Sequence, residues 1–90
     1  MPQAIVDPEE LRRFALSLKK FSGDVQERIK SLNGQMAALE RTWRDQEQKK
    51  FSEEFETQIQ SMGRFIELID RHVPYLARKA EIIEEYLQSR

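Results

Sequence analysis

Ninety residues with three glycines, three prolines and no cysteine describe one small domain and exclude both a disulfide framework and a thiolate metal site. Fifteen basic and sixteen acidic side chains, well mixed along the chain, give a net charge of −1 and no basic field to attract nucleic acid or an anionic membrane. No basic region leads into an apolar run at the N-terminus and no apolar stretch approaches the ~20 residues that span a bilayer, so neither an ordinary secretory signal nor membrane insertion is expected.

The first element opens at Asp7-Pro8-Glu9-Glu10. Asp7 suits the capping position, Pro8 the first helical position, and the two glutamates the positive end of the helix dipole. Apolar residues then recur at Leu11, Phe14, Leu18, Phe21, Val25, Ile29, Leu32, Met36, Leu39 and Trp43. Their spacings of three and four predict one continuous helix, with an extra four at Phe21, Val25 and Ile29 acting as a stutter. Asn33-Gly34 carries a turn signal, but the stripe keeps its phase across the pair. Gly34, like Gly23, is therefore read as a weak point inside the helix, costing about 1 kcal/mol relative to alanine.

The stripe is interrupted at Thr42-Trp43-Arg44-Asp45, where Asp45 is placed to cap a second helix. Phe51, Phe55, Ile59, Met62, Ile66, Ile69, Val73, Leu76, Ala80, Ile83 and Leu87 continue the same spacing, with Phe51 and Phe55 expected to face inward. Pro74 lies within this stripe and removes the hydrogen bond to the carbonyl of Asp70, so a bend is expected there. A second row on the same helix, Phe65, Leu68, Tyr75, Ile82 and Tyr86 with His72 and Lys79 between, widens the apolar face beyond residue 65. The expected pairs Glu9–Arg13, Asp24–Arg28, Lys49–Glu53, Lys50–Glu54 and Glu67–Arg71 are helical surface pairs.

The fold class that follows is all-α. It is a single domain over residues 1–90, a long antiparallel helix-turn-helix hairpin with helix one at about 8–41, a turn at about 42–45 and helix two at about 46–88, kinked near Pro74. A two-helix hairpin covers only the surfaces between its helices. The second row therefore calls for a partner, and dimerisation into a four-helix bundle is the simplest arrangement, with Phe65, Leu68, His72, Tyr75, Ile82 and Tyr86 as its interface.

Catalytic chemistry finds no constellation here. The single histidine, His72, has no nucleophile or ligand set at a recognisable spacing, and the glutamate clusters at 53–56 and 81–85 read as solvated helix faces. No phosphate-cradling glycine loop is present. The chain is read as a non-enzyme with no cofactor and no metal.

The segment Trp43-Arg44-Asp45 followed by Phe51 and Phe55 resembles the hairpin tip of the Trp-x-Gly family, the ESAT-like (ESX) helical hairpins of type VII secretion. In that family a tryptophan in the turn is followed two residues on by glycine, then by aromatics along the start of the second helix. Here Asp45 holds the place of the glycine. The resemblance implies a type VII secretion substrate or partner that works by protein–protein interaction. It implies a homodimer or heterodimer with a related hairpin, and contact with a secretion ATPase near Trp43. It also implies synthesis in the cytoplasm and release without a cleavable signal. Family members or their partners often carry Tyr-x-x-x-Asp/Glu as an export signal; here Tyr75 is followed at that spacing by Lys79 and Tyr86 by Arg90. A cytosolic adaptor or chaperone that binds a partner helix and is not exported is the alternative.

Overall fold

The computed structural model describes residues 6–89. Two helices account for nearly all of it: α1, Pro8–Leu39, and α2, Gln46–Gln88. They lie against each other in a hairpin 68 × 23 × 14 Å in extent. The expected all-α helix-turn-helix is what forms. No described helix is long and apolar enough to cross a membrane.

Both helix starts are chemically specified. Asp7 is extended, and its carboxylate accepts the amide of Glu9 at 3.0 Å, with Pro8 opening the first turn. Asp45 accepts the amide of Gln48 at 3.0 Å in the same way. Each cap satisfies an amide that has no partner inside its own helix. α1 stops at Leu39 because the chain tightens there: Arg41 and Thr42 donate to Ala38 and Leu39, three residues back instead of four.

α1 runs unbroken through Asn33-Gly34, and α2 through Pro74. All three glycines have ordinary negative φ, and a Cβ added to any of them would meet nothing within 4 Å. The turn signal of Asn33-Gly34 is overridden by the stripe that keeps phase on both sides of it.

The seam differs from the apolar stripe of α1 in one respect with large consequences. Its deepest positions are Ala15 and Ser22, 3% and 2% exposed, whereas Phe14 and Phe21 are 56% and 49% exposed. Taking Pro8, Leu11, Ala15, Leu18, Ser22, Val25, Ile29, Leu32 and Met36 as the seam gives strict alternation of three and four, so there is no stutter. The stutter was produced by counting only large apolar residues. α2 supplies the matching series Ser52, Phe55, Ile59, Met62, Ile66, Ile69, Val73, Leu76, Ala80 and Ile83, with Ile66, Ile69 and Ala80 buried.

Small residues set where the hairpin closes tightly. Ala15, Ser22 and Ala80 let the backbones approach, and every buried residue among those described lies between the middle of the hairpin and its end remote from the turn. Between residues 23 and 65 the seam is only half covered, with Leu32, Leu39 and Met62 still substantially exposed. Across the tight half Ser22 donates to Asp70 at 2.8 Å, Gln26 donates to the same hydroxyl at 3.1 Å, and Arg12 reaches Glu84 at 2.8 Å. These polar contacts lie along one flank of the seam.

The five expected surface pairs do not close. Among the described residues the ion pairs are Arg12–Glu84, between helices, and Lys20–Asp24, within α1. Asp24 turns back to Lys20 and is thereby taken from Arg28. Arg12 has its pKa raised, first by the hydrogen bond from its guanidinium to Glu84 and then by the charge of that carboxylate.

Candidate functional site

Two regions carry the sequence-predicted site residues: the hairpin tip and the outer face of α2. At the tip, Trp43 is held by its amide, which donates to the carbonyl of Leu39 at 2.9 Å, and its indole is half-buried. The ring lies 5.8 Å from that of Phe51, tilted by 38°, and Phe51 stacks on Phe55 at 5.9 Å with 23° between planes. The turn thus feeds an aromatic ladder along the start of α2. Phe55 joins the seam, but Phe51 does not face inward as expected; it is 44% exposed. The reason is register, since Ser52 takes the inward position and donates to Glu40 at 3.0 Å.

Asp45 sits between Trp43 and this ladder with φ −88° and ψ −174°. That is extended backbone, open to any residue, and no described residue has positive φ. Glycine's freedom is therefore not needed at this place. A carboxylate there caps α2, which a glycine cannot do through a side chain.

The outer face is set by helical geometry. Residues 65, 68, 72, 75, 79 and 82 each precede a seam position of α2 by one, and 86 precedes Leu87, where the same spacing continues; this rotates them by about 100° from the line that contacts α1. Phe65, Leu68, Tyr75, Ile82 and Tyr86 are accordingly 43–61% exposed, and His72 and Lys79 are exposed within the same row. His72 Nδ1 lies 2.8 Å from the carbonyl of Leu68 and therefore donates to it; its ring stands edge-on to Tyr75 at 6.4 Å. That arrangement leaves Nε2 directed away from the helix backbone.

Two residues that the apolar spacing of α1 predicts in the seam lie on this face instead. Phe14 and Phe21 precede the seam positions Ala15 and Ser22 by one, as Phe65 and His72 precede Ile66 and Val73. In an antiparallel pair of helices these positions flank the same side of the seam, opposite the flank of Arg12–Glu84. The signal that would have placed them is the unbroken seven-residue repeat through the small residues Ala15 and Ser22.

The other flank is an open groove of about 640 Å³ whose lining includes Gly23, Gln26, Lys30, Gly63 and Asp70. It presents no convergent catalytic constellation. No cluster of three metal-ligating side chains occurs among the described residues.

The chain belongs to the family described as proteins of 100 residues with WXG, whose model matches residues 3–86. That span takes in α1, the Trp43 turn and α2 as far as Tyr86, with the exposed face. No curated protein and no solved structure matches the chain.

Proposed function

We propose that this chain acts without catalysis, through protein–protein contact, as a substrate or partner component of a type VII secretion system. Its exposed α2 row joins it to a second helical hairpin in a four-helix bundle. The observation that carries this reading is the solvent exposure of Phe65, Leu68, Tyr75, Ile82 and Tyr86 in a single row, on a chain of the WXG family. Leaving such a row in water is unfavourable by about 25 cal/mol for each Å² that a partner would cover.

In this reading Trp43 and Phe51 keep part of their rings in solvent at the tip, where they form a surface for the secretion ATPase beside the partner's tail. Lys79 and Arg90 stand where the export signal has an acidic residue, so the partner chain supplies that signal. The protein is made in the cytoplasm and leaves it in complex with that partner.

The same two basic residues support a second reading, a cytosolic adaptor that binds a partner helix and stays inside the cell. Immunoblots of culture supernatant and lysate, with and without the secretion ATPase, separate the two. ATPase-dependent appearance in the supernatant is expected. Retention inside the cell in both strains overturns export and leaves the adaptor.

A further inference from the structure

The edge of the exposed row specifies what lies across it. Arg64, Arg71 and Arg78 recur every seven residues, and each stands four residues before Leu68, Tyr75 and Ile82 respectively. They form a basic line along the outer border of the apolar row, one helical turn from it. All three are exposed, and none belongs to the ion pairs of the described residues. Arg64 makes a hydrogen bond to Ser61 at 3.3 Å; the acids one helical turn away, Glu67 and Glu81, close no pair with any of them, and Asp70 beside Arg71 accepts from Ser22 instead. Lys79, inside the row itself, adds a fourth cation, and the line turns acidic only at Glu85.

A second copy of this chain is a poor occupant for such a face. The apolar row belongs to α2, with only Phe14 and Phe21 added by α1, so two copies cover most of it by laying α2 against α2. With the two α2 helices antiparallel, that brings the arginine line of one copy to the arginine line of the other. α1 offers no acidic substitute, because the residues that stand two before its seam positions, as the three arginines do on α2, are Arg13, Lys20 and Glu27. Like charges placed along both borders of an apolar interface disfavour pairing, whereas opposite charges there set partner choice.

We propose that the occupant of this face is a different chain, a helix whose apolar row is bordered by carboxylates spaced to meet Arg64, Arg71 and Arg78. The proposal rests on the reading of the face as a docking surface. It adds that the arginine line selects against self-pairing and for an acidic-edged partner.

The chain itself supplies the probe. R64E/R71E/R78E keeps the apolar row and converts its border to acid at three exposed helix positions, and circular dichroism checks its helicity. Sedimentation equilibrium is run on each protein alone and on the mixture, at low and high salt, together with the variant Ile82→Asp. The expected result is a one-to-one complex in the mixture, at least about ten-fold tighter than either self-association, weakened by salt and abolished by Ile82→Asp. Self-association of the natural chain as tight as the mixture, and lost in Ile82→Asp, overturns the selection by charge while leaving the face a docking surface. No association in any arm overturns both.

Discussion

The hydroxyl of Ser22 donates to a carboxylate oxygen of Asp70 at 2.8 Å, across the tightest part of the hairpin seam. Ser22 is 2% exposed, in a series whose neighbours are Leu18 and Val25. A polar residue at such a position holds register as much as it holds the helices together, because only one alignment gives it its acceptor. Replacing Ser22 with alanine is expected to lower the unfolding free energy by about 1 kcal/mol in denaturant titration. An unchanged midpoint would mean that the hydroxyl is satisfied as well by its own helix.

The register can be tested by contrast within α1. Phe21→Ser removes a large side chain that lies outside the seam and is expected to change the stability of the dilute protein by no more than about 0.5 kcal/mol. Leu18→Ala, three residues away in the seam, is expected to cost about 2 kcal/mol. Equal losses would restore Phe21 to the seam. Any weakening of association by Phe21→Ser at higher concentration assigns that ring to the exposed face.

Trp43 is half-buried against Phe51, so its removal is expected to cost less than truncation of a core aromatic. Trp43→Ala should lower stability by about 1–2 kcal/mol while leaving the far-ultraviolet helical signal intact. As the single tryptophan, its emission in the natural chain reports the tip alone. A shift of that emission before the loss of helicity would show the loosely packed tip opening ahead of the terminal half.

Gly34→Ala meets open space and an ordinary helical backbone. It is expected to raise stability by about 1 kcal/mol, seen as a higher thermal midpoint at unchanged association state. A fall in the midpoint would mean that the weak point relieves curvature that the alanine cannot.

The Arg12–Glu84 pair is partly exposed and joins the two helices at the end of the hairpin remote from the turn. Arg12→Gln should lower the thermal midpoint at low salt, with the difference shrinking as salt is added. The pKa of Arg12 is raised in the folded chain, so its contribution is fully present below the ordinary guanidinium value and is lost only as pH rises through the still higher folded value. Across the neutral range the effect of Arg12→Gln is therefore expected to be independent of Arg12 titration.

Much of the fold was legible because helices are specified locally. Asp7-Pro8 and Asp45 announce the two starts, and the three-and-four spacing carries each helix through Gly34 and Pro74 against opposing local signals. Trp43 with Phe51 and Phe55 marked the tip and the family. The excess of apolar residues on α2 beyond residue 65 was equally visible, since a row one residue out of phase with the seam needs only counting.

Tertiary structure decided which of two adjacent rows on α1 became the seam. Hydrophobicity favoured Phe14 and Phe21, but backbone approach favours Ala15 and Ser22, whose small side chains let the helices close and whose polar member finds Asp70 on α2. A sequence reports what each residue prefers; it does not report the distance to the facing helix, and that distance sends the two phenylalanines outward. The same approach sets Ser52 inward against Glu40 and turns Phe51 toward solvent. Helix identity was a property of the chain, whereas the division of its apolar residues between core and open face was settled by packing.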